Sequence, residues 1–420
     1  MKLAISLEEM TVGGGPKYTL MLGRSLASLG HDVTICTERP GVWWSELEAH
    51  GLTGYCLPSQ SRESTVKRAC RLARYWNEQR FDVIIVNASL LNHVAHHACH
   101  MLEDNIRVML ILHGDWDAMY ELAARETAAW NCAVGVSPKV QEKAAMYFRE
   151  KPVFSISNGV EIPSTAILQT RRPWELPLRL LFVGRLIDSH KGVFRLPLIL
   201  AECRRRDLSV RLTVIGDGED RKELESRFQD AGVSDLVEMA GYLDPEATLT
   251  AMLKHHVLVF PTNMEGMPLV VLEAQARGCV CVTTRLPGIT DVAIEDGVTG
   301  YLAEPGKIEQ FVDHVQVMLD RDGWKNASDA AMERSCCCFS VDAMVSQYET
   351  ILRDLDQNAY PLKRTYNVTR KLGSVPFYWW NYFPRIPAPD FFMNGVGALR
   401  KRWRTLRGRN LKPLVADIRN

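Results

Sequence analysis

Short apolar segments alternate with longer amphipathic ones along almost all of this chain, and that rhythm restricts the folds open to it. Strand-like runs fall at 3–7, 32–37, 53–57, 82–87, 107–113, 133–137 and 153–157, and helix-length stretches such as 17–29, 62–80 and 91–103 separate most of them. Brief apolar strands joined by helices predict a parallel sheet covered on both faces. The rhythm weakens from 161 to 177, where Pro163, Pro173 and Pro177 stand among few hydrophobic runs; this predicts an interdomain linker. It restarts at 179–183, 210–215, 237–240, 257–261, 280–284 and 300–303. The expected fold class is α/β, with two Rossmann-like, doubly wound domains facing each other across a cleft. They occupy residues 1–165 and 178–345, joined by a linker over 166–177 and followed by a C-terminal extension over 346–420. Ligands of such sheets bind beyond the carboxyl ends of the strands.

Composition narrows the function. Fifty basic and fifty acidic residues cancel, so the average charge points to no nucleic-acid partner. Cys36, Cys56, Cys132, Cys279 and Cys281 stand in apolar strands, as small core residues do in a reducing compartment. Cys336-Cys337-Cys338 lacks the paired spacing of a zinc site and reads as a helix-to-loop stretch. The apolar start is too short for a secretory leader, and no apolar run approaches the roughly 18 residues of a membrane span. The expected location is cytoplasmic.

The segment Glu265-Gly266-Met267-Pro268-Leu269-Val270-Val271-Leu272-Glu273 lies between two expected strands. A carboxylate enters, a tight Gly-Met-Pro turn follows, and a helix begins with Pro268 suited to its first turn. At about 1.5 Å of rise per residue, Glu265 and Glu273 would stand roughly 10 Å apart, near the span from sugar to ribose in a nucleotide sugar. Amides at the helix start would face a diphosphate between them. Upstream, Gly184-Arg185-Leu186 ends a strand and Lys191 precedes a helix. Two cations there can neutralise a leaving diphosphate, Arg185 through its fork and Lys191 as a point charge. His113 closes the strand at 107–113 and would face the cleft, within reach of a sugar hydroxyl. Gly13-Gly14-Gly15 lets backbone approach a ligand and leaves amides open to an anion, although a plain strand-to-helix turn explains it equally well. Gly30 reads as a helix stop.

Other patterns are weaker. Asp115 and Asp117 have a spacing that can hold a divalent metal, but Asp is also favoured at helix starts, and Asp354 and Asp356 repeat the spacing on an expected helix. His93, His96, His97 and His100 are near-helically spaced with no Glu at the hydrolase position, which favours a polar helix face over a metal site. Gly216-Asp217-Gly218 lacks the third glycine of a dinucleotide fingerprint, whose place is taken by Arg221.

With these pieces in order, the chain resembles the family 4 retaining glycosyltransferases of GT-B fold from residue 1 to about 350. The resemblance rests on Gly13-Gly14-Gly15, Gly30-His31-Asp32-Val33, Asn158-Gly159-Val160, Gly184-Arg185-Leu186 with Lys191-Gly192, the Glu-x7-Glu motif, and Asp296-Gly297-Val298-Thr299-Gly300. The loop from Leu186 to Lys191 is one residue longer than in many relatives, a departure that bears on the reach of Lys191. The resemblance implies that Arg185 and Lys191 bind the donor diphosphate. Glu265 would meet the donor sugar, helped by the amides of Gly266, Met267 and Leu269, and Glu273 would hold the ribose. Gly14 and Gly15 would border the phosphates and the acceptor, His113 would lie near the transferred sugar, and residues 240–243 would flank the base. It further implies front-side attack with retained configuration, no protein nucleophile, no metal and no bound cofactor. A nucleotide-sugar epimerase or a sugar-nucleotide-binding protein without turnover are the alternatives.

The C-terminal tail is strongly basic over 391–412, where Phe392, Val396, Leu399, Trp403 and Leu406 recur at helical steps among seven Lys and Arg residues. Such a helix suits an anionic membrane surface, or packs on its own domain. The first case would fit a lipid-linked saccharide acceptor and a peripheral place on the inner face of the cell membrane.

Overall fold

The computed structural model describes residues 1–361 except 12, 59–62, 90–91 and 126. The basic tail at 391–412 therefore lies outside the described residues. Among these, no helix is long and apolar enough to cross a membrane.

Thirteen strands form two parallel sheets among the described residues. The first domain holds β1 (Lys2–Glu9), β2 (Asp32–Arg39), β3 (Thr53–Cys56), β4 (Val83–Ala88), β5 (Arg107–Leu112), β6 (Cys132–Gly135) and β7 (Val153–Ser155). The second holds β8 (Leu178–Val183), β9 (Val210–Ile215), β10 (Val237–Gly241), β11 (Val257–Phe260), β12 (Val280–Thr284) and β13 (Gly300–Ala303). Their orders are β3-β2-β1-β4-β5-β6-β7 and β10-β9-β8-β11-β12-β13. Leu3 pairs with Val33 on one side and Val83 on the other. The order therefore reverses beside β1 and beside β8, and a crevice opens at each switch point. The central strands are buried end to end, as Val83-Ile84-Ile85-Val86 shows, because helices cover both faces.

Local sequence sets the helix starts. Ser64, Ser137, Asp244 and Ser340 each accept a backbone N–H in the first turn of the helix they precede. Helix Gly14–Ser28 buries Tyr18, Met21, Leu22 and Leu26, one face at helical spacing, and Gly30 follows it at φ 92°. This helix begins at Gly14, so Gly14 and Gly15 lie in its first turn, where amides have no intrahelical acceptor. β5 stops at Leu112 and leaves His113 as the first residue of the loop beyond it.

The expected linker is fastened to the second domain: Arg172 N donates to Leu253 O at 2.9 Å and Trp174 Nε1 to Met318 O at 3.2 Å. Helix Val341–Asp356 runs through residue 345, where the second domain was expected to end, and it packs on the first domain. Tyr348 bonds Tyr18, His31 bonds Glu349 at 2.7 Å, and Val341 N donates to Val160 O at 3.1 Å. The aromatic and apolar face of this helix completes the first core, so the chain leaves the second domain and returns.

Cys36, Cys132, Cys279 and Cys281 are buried and Cys56 is half-buried; all are free thiols. Cys336, Cys337 and Cys338 are exposed at the end of helix Arg321–Cys338.

Candidate active site

The second-domain wall is a strapped pair of loops. Gly184 follows β8, and the chain turns through the one-turn helix Asp188–Lys191. Gly192 ends that turn at φ 60°, where a Cβ would stand 2.0 Å from the Pro261 carbonyl oxygen, so only glycine fits. Asn263 Nδ2 donates to Asp188 O at 2.9 Å and Asn263 N to His190 O at 2.8 Å. Gly216 and Gly218 follow β9 and make room for the backbone of Gly184 and Leu186: a Cβ would lie 1.9 Å and 2.3 Å from their carbonyl oxygens. That close packing is the physical reason for the Gly-x-Gly here.

These straps bring Lys191 to Glu265. Lys191 Nζ lies 2.6 Å from Glu265 Oε1, and Thr262 Oγ1 donates to the same oxygen at 2.8 Å. Lys191 also sits 5.2 Å above the Phe260 ring, so its ammonium is held from two sides. The longer loop after Leu186 therefore does not keep Lys191 from the cleft. Arg185 is exposed and makes no side-chain hydrogen bond or ion pair among the described residues. It is not paired with Glu265, though its charge is felt at His190, whose pKa is lowered by burial first and by Lys191 next.

Helix Leu269–Ala276 starts one residue later than expected: Pro268 is its N-cap at φ −74°, outside the first turn. The helical rise thus holds only from Leu269 on, and 265–268 is loop. Glu273 is buried and pairs with Lys17, a first-domain residue the sequence reading did not single out.

The first-domain wall meets this one closely. A Cβ on Gly266 would stand 2.0 Å from the His113 carbonyl oxygen, so the missing side chain lets the walls touch. A Cβ on Gly14 would lie 3.8 Å from Leu269 Cδ1, whereas nothing approaches Gly15 within 4 Å. Asn158 Nδ2 donates to Met267 O at 2.9 Å, and the Trp116 and His190 rings meet edge to face at 5.3 Å. Gly266, Met267, Leu269 and Glu273 thus all lie at the contact between domains, with His113 opposite.

His113 is held by a network no motif announces. Asn87 Nδ2 donates to Ser6 O at 3.1 Å and Thr19 Oγ1 at 3.2 Å, which leaves Asn87 Oδ1 as acceptor. The His113 Nε2–H then donates to that oxygen at 2.6 Å, an assignment made by the network. Burial pushes the imidazole down to about 4, so at neutral pH it is uncharged and Nδ1 carries a lone pair. Tyr18 packs edge-on against the ring at 4.8 Å. A neutral histidine so fixed can accept a hydroxyl proton in a hydrogen bond; it is a poor proton donor.

The weaker patterns have structural uses. Lys143 pairs with Asp115 at 2.6 Å and Asp117 at 2.9 Å, and Asp117 opens helix Asp117–Arg125. Among the described residues no group of three or more His, Cys, Asp or Glu side chains is placed to hold a metal ion. His96 points into the core and is pushed down to about 3, by burial first and then by His97, His93 and His100.

Comparison with known proteins agrees with this architecture. A family model described as Glycosyltransferase Family 4 matches residues 12–162, and one described as Glycosyl transferases group 1 matches residues 170–333. The chain is 23% identical over 380 residues to N-acetyl-alpha-D-glucosaminyl L-malate synthase of Bacillus anthracis, covering 84% of this chain and 98% of that protein. It is 28% identical over 228 residues to the lipopolysaccharide core biosynthesis glycosyltransferase LpsE of Rhizobium meliloti, covering 53% of this chain and 64% of that protein. Among solved structures, Anabaena HepE in complex with UDP and glucose superposes with a TM-score of 0.72 at 17% identity, covering 84% of this chain and all of that one. The last likeness speaks to fold.

Proposed function

Because this chain belongs to the family 4-type glycosyltransferases and has their GT-B fold, we propose that it is a metal-independent retaining hexosyltransferase. It would move a sugar from a nucleoside-diphosphate sugar to a hydroxyl on a carbohydrate or lipid-linked saccharide. The observation that carries the reading is the Lys191–Glu265 pair, set beside Gly266 where the second domain touches His113. A cation and a carboxylate in one half-buried spot suit the two ends of a sugar–phosphate bond.

In this reading Lys191 and Arg185 hold the diphosphate, and the amides of Gly266, Met267 and Leu269 add dipoles aimed at it. Gly14 and Gly15 supply first-turn amides from the opposite wall. Glu265 accepts hydrogen bonds from the donor sugar, Glu273 from the ribose hydroxyls, and His113 Nδ1 from a sugar hydroxyl. The bond from the anomeric carbon to the phosphate oxygen breaks, its electron pair leaving with the diphosphate. The acceptor oxygen bonds the same face of an oxocarbenium-like centre, and its proton passes to the departing phosphate. Fixed positive charge replaces a metal in stabilising that leaving group. Meeting of the walls at Gly266 excludes water, which would otherwise hydrolyse the donor.

The name of the Rhizobium meliloti relative supports a glycan or glycolipid acceptor in cell-surface assembly, and cytoplasmic or peripheral membrane location follows from that acceptor. Titration calorimetry with UDP, GDP and ADP in the presence of a chelator tests the donor site. One diphosphate should bind unaffected by chelator, and Arg185→Ala and Lys191→Ala should each weaken it about tenfold or more. Wild-type affinity in both variants would remove their assigned role. Transfer to an acceptor, with no epimerised donor when acceptor is left out, distinguishes the transferase from an epimerase.

A further inference from the structure

Lys17 stands in the first turn of helix Gly14–Ser28, two residues after the last of the three glycines, with its N–H on Gly13 O at 3.2 Å. From there it reaches across to the second domain and pairs with Glu273 Oε1. Glu273 is 8% exposed, and among the described residues Lys17 is its one side-chain ion pair. The neighbouring Arg277 is also buried but turns one guanidinium N–H to the main-chain oxygen of Glu273, at 3.2 Å. No described group bonds Glu273 Oε2.

We infer that Lys17 is a positioning residue for nucleotide recognition: it fixes the Glu273 carboxylate from the opposite wall so that the free acceptor sites meet the ribose diol. This rests on the assignment of Glu273 to the ribose made above. An ionised carboxylate has about four acceptor sites. Lys17 takes one, and a cis-diol needs two, so ribose and Lys17 can share the group without competition. Without Lys17 the buried Glu273 carboxylate would turn toward another donor, such as the buried Arg277 guanidinium whose charge is felt by it, and would no longer aim its free acceptor sites at the ribose. Because the cation and the carboxylate come from different domains, the ribose grip forms only when the walls are together. A plain interdomain tether would hold the domains without reading the sugar of the nucleotide.

The test uses the full chain. Whichever of UDP, GDP and ADP binds tightest is titrated beside its 2′-deoxy form into wild type, Lys17→Met, Lys17→Arg and Glu273→Gln, each checked by thermal melting. Wild type should prefer the ribose form about tenfold, the loss expected for one hydrogen bond to a charged group. Lys17→Met should bring that preference close to unity while leaving pyrophosphate binding unchanged, and Lys17→Arg should restore most of it. An intact preference in Lys17→Met beside a lost one in Glu273→Gln overturns the inference alone. Tighter binding of the ribose form by Lys17→Met, the mark of competition, overturns it as well. An intact preference in Glu273→Gln removes the ribose assignment and this inference together.

Discussion

The second-domain wall draws the charged pair at its centre from a few neighbouring turns, whereas the first-domain wall fixes its histidine with neutral groups from distant segments. Lys191, Thr262 and Glu265 sit on two loops strapped edge to edge, and the first two both bond the Glu265 carboxylate. His113 depends on Asn87, which depends in turn on Ser6 and Thr19, three segments joined only by the sheet and its first helix. The contrast teaches a division of labour. The second wall carries fixed charge that needs a neighbour to offset it in a half-buried place. The first carries an uncharged acceptor whose direction, set by hydrogen bonds, is its contribution.

The contrast breaks most visibly at the Lys191–Glu265 pair. Lys191→Ala and Glu265→Gln should each lower kcat/KM by about 10²–10³. The double variant should cost far less than the product of the two, because the groups are in contact; steady-state kinetics of the cycle decide, and simple multiplicativity would mean they act apart. Next comes Gly266→Ala, whose methyl would meet the His113 carbonyl. Transfer should fall on the order of 10²-fold, as a misplacement of about 1 Å can cost, while nucleoside-diphosphate affinity falls less, by about the tenfold that the ribose contact supplies. Unchanged transfer in Gly266→Ala would show that the walls need not meet.

A smaller effect sharpens the neutral side. Asn87→Ala frees the His113 tautomer and should cost about tenfold in kcat. Because burial keeps His113 uncharged down to about 4, the wild-type pH–rate profile should show no limb from it between pH 5 and 8. The smallest effect is on stability. His96, held down at about 3, stays unprotonated in the folded chain while the unfolded chain takes a proton below about 6.5. Its contribution is therefore intact above that pH and is lost as pH falls toward 3. In denaturant titrations at pH 7 and pH 5, His96→Gln should lessen the acid loss by up to about 1.4 kcal/mol per pH unit; the wild-type slope in the variant would contradict the burial of this ring.

Legibility followed the same division. The runs of β9, β12 and β13 lie where hydrophobic period alone puts them, since each is a continuous apolar signal bounded by turns. Glu265, Gly266 and Lys191 were visible because their spacing is local. Lys17, Asn87 and Asn158 had no such signal as contacts: a single Lys in a helix, or an Asn at a strand end, looks like many others. In the sequence Gly266 is a turn residue like any other, and its close approach to His113 exists only with the domains face to face.

Sequence by itself determined that this chain builds two parallel α/β sheets with a carboxylate–glycine–helix segment at one strand end, because hydrophobic period and turn chemistry are properties of neighbours along the chain. Tertiary structure decided which groups share the cleft, that His113 is neutral, that Lys17 reaches Glu273, and that helix Val341–Asp356 returns to the first domain. Those outcomes depend on burial and on contacts between residues far apart in the chain, whose energies exist only once both walls are in place.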